Sequence, residues 1–285
     1  MLPFWVSIAL LSLFQGALVA IPGSIRVGAL GPLRGRRWAL IPPLSIIAFV
    51  FGARAAEHAS AQGLTYLALV AVPALAVLAL GWLARGARPR WTLLVAVLFA
   101  LAWADRGALP GQAAALLLSG LSCVTLGVLL AALTPPRWLS AGIIAMALAD
   151  TALVASELLQ RPNDALNAAR PVAGLPQLQS AVFGSAVMGY GDIFIAATLG
   201  GLLALRFGAS VQRRAAVLTA LLALASDLLF FAINELPATV PVALALIAVL
   251  LRRRRRSDPG AEPARPAHRQ QLRGAARSPG APLAP

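Results

Sequence analysis

The sequence predicts an all-α membrane protein with nine transmembrane helices, and three features of the chain support this fold class. Hydrophobic residues make up 59% of the 285 residues and charged residues only 12%, and the mean hydropathy is +0.80. Soluble domains carry about 45–50% apolar and about 25% charged residues, so this chain needs lipid to cover its apolar surface. Polar segments separate the apolar stretches, and arginine is concentrated in every second one of them.

The apolar stretches can be placed in order along the chain. The first has no basic cluster before it and four arginines after it, so it is predicted to be a span and not a cleaved signal peptide. The second and fourth are short, and Pro42-Pro43 is expected to interrupt the second, where neighbouring helices would satisfy the freed carbonyl groups. The predicted spans are 2–21, 38–52, 63–84, 91–104, 108–133, 138–159, 179–205, 215–233 and 237–251.

The arginine pattern predicts the orientation of the chain. The segments after the first, third, fifth and seventh spans hold four, three, one and three arginines, and an arginine-rich tail follows the ninth; the other segments hold one, one, two and none. The positive-inside rule then places the N-terminus outside and the C-terminus in the cytoplasm of a multi-pass protein of the cell membrane. Residues 1–133 form one group of helices, residues 138–251 a second, and residues 252–285 a tail predicted to be disordered.

Charge and cysteine content exclude several kinds of site. The formal net charge is +14, but topology already explains the arginines, so no nucleic-acid partner is expected and the tail could at most touch anionic lipid. The single cysteine, Cys123, excludes a disulfide framework and a cysteine-rich zinc site, and is interpreted as a small packing residue. His58 and His268 lie in a loop and in the tail, so no metal or cofactor is expected.

Acidic residues inside apolar stretches are the strongest functional signal. A carboxylate within the bilayer costs roughly 2.5–3.5 kcal/mol on insertion scales, so each needs a reason to be there. The predicted spans contain Asp150, Glu157, Asp192 and Asp227. Glu157 is expected to reach water at the end of the sixth span. Asp227 is expected to hydrogen-bond to a neighbouring helix, although it could also tune a catalytic pair or relay protons.

Asp150 and Asp192 are predicted to meet. Asp192 follows two glycines in the sequence Gly189-Tyr190-Gly191, and glycines allow close backbone approach. Asp150 is the thirteenth residue of the sixth span and Asp192 the fourteenth of the seventh, so both are expected near the bilayer midplane. Two neighbouring carboxyl groups in a low dielectric cannot both ionise cheaply, so the pair shares one proton, as in an aspartic protease.

An aspartate in the sixth span, Gly-Tyr-Gly-Asp in the seventh and Pro-Ala at the start of the ninth resemble the presenilin and signal peptide peptidase family of intramembrane aspartyl proteases. The resemblance implies a presenilin-like fold, with Asp150 and Asp192 catalytic. The substrate-binding residues that it implies are Gly189, Tyr190, Gly191, Pro237, Ala238 and Thr239. Two positions depart from the family pattern: Ala149 stands where Tyr is usual, and Thr239 where the family has Leu.

The predicted orientation matches the signal peptide peptidase type within this family. It implies an intramembrane endopeptidase that cleaves transmembrane segments of type II proteins or leftover signal peptides, without metal or cofactor. In the family the substrate is thought to add as an extended strand near the active site. The partners are therefore transmembrane peptides and the lipid bilayer, and the sequence leaves the oligomeric state open.

Three alternatives remain open at this stage. Asp150, Asp192 and Asp227 could form the proton relay of a transporter or channel. A prepilin-peptidase-like enzyme also uses Gly-x-Gly-Asp, but it cuts at the cytoplasmic face, whereas Asp192 is predicted in the middle of a span. The departures at Ala149 and Thr239 also allow a catalytically silent family member that only binds membrane helices.

Overall fold

The chain forms ten α-helices and one β-hairpin within the residues that the computed structural model describes, 2–24, 28–55, 57–231 and 236–257. The hairpin consists of β1, Ser180–Phe183, and β2, Ala186–Gly189, which pair antiparallel with Ala181 opposite Met188. The helices are α1 Phe4–Ala20, α2 Ile41–Ala55, α3 Glu57–Leu78, α4 Leu93–Ala104, α5 Leu109–Leu133, α6 Pro136–Ala155, α7 Gln160–Ala168, α8 Tyr190–Phe207, α9 Ala209–Asp227 and α10 Val240–Ser257.

Several of these helices suit a membrane in length and composition. Five segments among the described residues are long and apolar enough to cross one: Ala59–Leu83, Leu109–Leu133, Pro136–Ala155, Tyr190–Phe207 and Ala209–Phe231. Two shorter apolar helices, Phe4–Ala20 and Pro89–Ala104, accompany them. Large apolar side chains such as Val70, Leu93 and Phe231 are at least 75% exposed, which fits contact with lipid rather than water. The predicted helical class is therefore confirmed, and the five long apolar helices fit a multi-pass membrane protein.

The helix α8 lies at the centre of the packing. Every residue from Ile193 to Ala204 is buried, and α8 packs against α1, α5 and α6. Close approach to α5 depends on glycine: a β-carbon at Gly201 would lie 2.8 Å from the carbonyl oxygen of Gly127. Glycine at such a crossing lets two helix backbones touch, which is how membrane helices gain packing energy without a hydrophobic driving force between them.

The prediction that Pro42-Pro43 interrupts the second span is wrong. Both prolines lie in the first turn of α2, which begins at Ile41 and continues without a break to Ala55. The first turn of a helix has no carbonyl partner for its N–H groups, so proline there removes no hydrogen bond. The prolines therefore start the helix.

The prediction of a helix from residue 179 is also wrong. Residues 180–189 form the β-hairpin, whose two-residue turn places Gly184 at a φ of 62°, a backbone conformation that glycine adopts without strain. The polar loop before it contains the short helix α7 and not only irregular chain. As a consequence α8 starts at Tyr190, and Asp192 lies in its first turn instead of in the middle of a helix.

The C-terminal arginines are helical where disorder was predicted. The helix α10 continues to Ser257, because leucine and arginine are both strong helix formers. The structure divides within α10 into two units, residues 1–249 and 250–285. The rest of the predicted tail, 258–285, and the predicted turn at Asn234-Glu235 lie outside the described residues.

Candidate functional site

The structure brings Asp150 and Asp192 together from two different helices. Asp150 is the fifteenth of the 20 residues of α6, and Asp192 is the third residue of α8. These helices pack against each other, and the charge of Asp150 acts on the carboxyl group of Asp192. Five residues of α6 follow Asp150, which at 1.5 Å per residue is about 7.5 Å of helix. The pair therefore lies near the ends of its helices, and the predicted mid-helix position of Asp192 is corrected.

Asp150 is held by the segment that precedes α10. Its side chain is only 5% exposed, and its Oδ2 accepts a hydrogen bond of 2.6 Å from the Thr239 hydroxyl group. The backbone N–H of Thr239 also faces this carboxyl group. Thr239 thus satisfies a buried polar group that would otherwise be costly. Thr239 stands where the presenilin and signal peptide peptidase family has Leu, and its hydroxyl group contacts Asp150 directly.

Asp192 is held by its own motif. The backbone N–H of Gly189 donates a hydrogen bond of 3.1 Å to Asp192 Oδ2, as an acidic residue in the first turn of a helix commonly accepts. A β-carbon at residue 189 would lie 3.0 Å from that oxygen. At Gly191 a β-carbon would lie 3.3 Å from the methyl group of Met146, one turn before Asp150 on α6. Both motif glycines therefore keep space around the carboxyl pair.

Gln15 on α1 joins the two sides of the site. Its side-chain nitrogen donates to the backbone oxygen of Ala238 at 2.7 Å and to that of Asp192 at 3.4 Å, and the side chain is completely buried. Sequence reasoning missed this residue. The signal was present, since Gln15 is the only amide side chain in the first apolar stretch, and polar side chains inside membrane helices commonly hydrogen-bond to neighbouring helices.

The remaining residues implied by the resemblance surround this core. The Tyr190 hydroxyl group lies 2.7 Å from the hydroxyl oxygen of Ser122, which anchors the start of α8 to α5. Pro237 and Ala238 are half-buried in the segment that Gln15 binds. Of the six residues, Gly189 and Thr239 contact the carboxyl pair and Gly191 faces Met146 beside it. Their contact with substrate stays a prediction.

The described contacts of the other two acids of the predicted spans, Asp227 and Glu157, do not involve Asp150 or Asp192. Asp227 at the end of α9 accepts a hydrogen bond of 2.8 Å from the hydroxyl group of Ser12 on α1, which confirms the predicted bond to a neighbouring helix. Glu157 lies just past the end of α6 and is exposed, as predicted. Cys123 is buried, in keeping with a packing role. The side chain of His58 and the whole of His268 lie outside the described residues.

Fold and site together define a helical membrane protein with two carboxyl groups paired between helices, each held by protein donors. Such a pair can hold one proton and polarise a water molecule placed between its oxygens. Among the described residues, no group of three or more metal-ligating side chains occurs. No family model, curated protein or solved structure matches the chain.

Proposed function

We propose that this protein is an intramembrane aspartyl endopeptidase of the presenilin and signal peptide peptidase type. The observation that carries the proposal is the carboxyl pair, Asp150 on α6 and Asp192 in the first turn of α8 behind Gly-Tyr-Gly. In this proposal the nine apolar helices, α1 to α6 and α8 to α10, are the nine spans of a presenilin-like fold. The N-terminus lies outside and the C-terminus in the cytoplasm.

The hydrogen bonds around the pair support different roles for its two members. The Thr239 hydroxyl group donates to Asp150 and the Thr239 backbone N–H faces the same carboxyl group, whereas the motif supplies Asp192 with one donor from Gly189. Hydrogen bonds to charged groups contribute about 1.5–3 kcal/mol each, more than the roughly 0.3–1 kcal/mol that a helix N-terminus adds at Asp192. Burial of Asp150 opposes its charge, and these groups of Thr239 offset this cost. Asp150 is therefore the carboxylate and Asp192 the protonated acid.

The reaction then follows the general acid-base pattern of aspartic proteases. The Asp150 carboxylate takes a proton from water as the oxygen attacks the scissile carbonyl carbon, while Asp192 gives its proton to the carbonyl oxygen. When the resulting diol collapses, Asp150 passes the proton on to the leaving amide nitrogen. The carbonyl re-forms and returns a proton to Asp192, so the pair ends with the single shared proton with which it began.

The β-hairpin supports an extended substrate. Among the described residues the sheet has only the two strands β1 and β2, so its outer edges offer unpaired backbone groups. Strand β2 runs directly into Gly189, and the exposed side chain of Val187 marks its open face. A transmembrane segment that unwinds and pairs along β2 would carry its amides to the carboxyl pair. The substrate class is a single membrane segment of a type II protein or a leftover signal peptide.

The contacts of the acids bear on the alternatives. Asp227 bonds to Ser12, and no described contact links it to Asp192, so a relay through the three aspartates has no support in these hydrogen bonds. A prepilin-peptidase-like enzyme was disfavoured because Asp192 was predicted in the middle of a span. Asp192 lies in the first turn of α8 instead, so that argument no longer applies. In the proposed orientation, however, the start of α8 faces outside, whereas prepilin-peptidase-like enzymes cut at the cytoplasmic face.

Cleavage of a model type II membrane segment in liposomes tests the proposal. Asp150→Asn and Asp192→Asn should each abolish cleavage while folding is retained, and Asp227→Asn, a matched loss of one acid that is half-buried, should remain active. Cleavage that survives both catalytic substitutions would sink the proposal. Labelling by an aspartyl-protease transition-state analogue separates an active enzyme from a silent family member, which would not be labelled.

A further inference from the structure

A cavity of about 330 Å³ lies at the far end of α8 from the carboxyl pair. It is lined by the chain that follows α1 and α3 and by the junction of α8 and α9 at Gly208. Sixteen positions of α8 and its end separate Gly208 from Asp192, about 24 Å at helical rise. The cavity is therefore a separate feature of the molecule, and neither the catalytic proposal nor the resemblance gives it a role.

The cavity contains an arginine that the fold holds in place. The amide nitrogen of the buried Gln212 donates to the backbone oxygens of Val19 at 2.9 Å and Pro22 at 3.0 Å. These bonds occupy both of its N–H groups, so only its side-chain oxygen remains, and this oxygen accepts a hydrogen bond from Arg85. The neutral side chain of Gln212 thus holds one nitrogen of the Arg85 guanidinium group by a hydrogen bond. The other N–H donors of this group remain for a ligand.

No carboxylate among the described residues neutralises the charge of Arg85. In the part of the chain that the structure describes, its only side-chain partner is the neutral amide of Gln212, with no carboxylate in an ion pair. The guanidinium group matches phosphate oxygens in a planar, two-donor geometry. A cavity wall that carries such an unpaired cation favours an anion.

The walls of the cavity are rigid. Gly23 N–H donates to the Leu83 oxygen at 2.9 Å, and Arg85 N–H to the Ile21 oxygen at 2.8 Å, so the chain after α1 is tied to the chain after α3. Gly208 has a φ of 81°, a conformation that only glycine adopts readily. Trp82 lies half-exposed at the rim, and tryptophan concentrates at the headgroup level of membranes. The site is thus preorganised.

We propose that this cavity binds the phosphate group of an acidic phospholipid through Arg85. The ends of the helices that line it are the ones that the arginine pattern assigns to the cytoplasmic side, where the leaflet surface is negatively charged. The headgroup phosphate lies against the guanidinium group, Trp82 contacts the interfacial region, and the acyl chains extend along the apolar surface of the helices. The lipid would fasten the ends of α1, α3 and α8 to one another.

The test uses the full-length protein in dodecyl maltoside micelles and follows the midpoint of thermal unfolding. Dioctanoyl phosphatidylglycerol should raise the midpoint in a saturable manner, while dioctanoyl phosphatidylcholine should not. Arg85→Gln should weaken the apparent affinity for phosphatidylglycerol by at least about tenfold, because it removes a charge-assisted contact. The matched control is Arg88→Gln, the same charge change in the same exposed segment but outside the cavity, which should leave the affinity within about twofold.

Further arms identify the source of the phosphate and guard against a folding defect. Inorganic phosphate that raises the midpoint in the wild type but not in Arg85→Gln would support a phosphate site open to soluble anions; a response to phosphatidylglycerol alone would support the lipid headgroup. Ala87→Leu narrows the cavity without altering charge and should weaken binding as well, which decides the matter if Arg85→Gln fails to fold. Equal loss in Arg85→Gln and Arg88→Gln, or no response to phosphatidylglycerol in the wild type, would overturn the proposal.

Discussion

Replacement of Thr239 by valine is the sharpest test of how the carboxyl pair is held. Valine has nearly the same shape as threonine but lacks the hydroxyl group that donates at 2.6 Å to Asp150. The backbone N–H of residue 239 remains and still faces the carboxyl group. The substitution therefore removes the side-chain hydrogen bond to a buried carboxyl group and changes little else.

The magnitude follows from the contact that is lost. A hydrogen bond to a charged group contributes about 1.5–3 kcal/mol. The lower end applies because the backbone donor survives, so kcat is expected to fall by about tenfold. Because the hydroxyl group helps to position the carboxylate that activates water, its loss is expected to lower the rate throughout the pH range in which the enzyme is active.

Steady-state cleavage of a membrane segment in liposomes between pH 4 and pH 8 provides the measurement. Thr239→Ser keeps the hydroxyl group and is the matched control, so its kcat should stay within about twofold of the wild-type value. Thermal unfolding of both variants shows that the fold is retained. A Thr239→Val variant with wild-type kcat would refute the role of the hydroxyl group as a partner of the base.

Three further predictions rest on single contacts. Gln15→Leu removes the donor that ties α8 to the Pro-Ala-Thr segment, so initial-rate measurements should show kcat about tenfold lower with KM little changed; a change confined to KM would contradict this. Gly189→Ala places a methyl group 3.0 Å from the motif carboxylate and should reduce cleavage by about tenfold, whereas Gly52→Ala, which meets open space, should be harmless. Ser12→Ala and Asp227→Ala each remove one partner of the same 2.8 Å bond, so a double-mutant cycle of unfolding free energies should show a coupling of about 0.6 kcal/mol, and additive effects would refute the pairing.

Much of the helical architecture could be predicted from composition and pattern. The stretches that became α1, α5, α6 and α9 are apolar over most of their length, and a backbone in lipid must satisfy its hydrogen bonds internally, which favours helices. The hairpin could not be predicted in the same way. The sequence from Ser180 to Gly189 is a short apolar run, and such runs do not distinguish strand from buried helix by periodicity.

Some residues of the site could likewise be predicted from the sequence, and others could not. Asp150 and Asp192 could be found because a carboxylate in an apolar stretch is costly, and their partnership because the motif resembles one already known. The partners Gln15 and Thr239 act largely on or through backbone atoms, which every residue possesses and no sequence pattern marks. In the sequence, Thr239 was distinguished only by its departure from the family pattern.

The sequence by itself determined that this is a helical membrane protein with acids in its apolar segments, because transfer free energies depend on composition and on nothing more distant. Only the tertiary structure decided that Asp192 begins a helix after a hairpin, that Thr239 bonds to Asp150, and that Gln212 holds Arg85. Each of these depends on contacts between residues far apart in the chain. The free energy of such contacts is defined by geometry, which residue types alone do not specify.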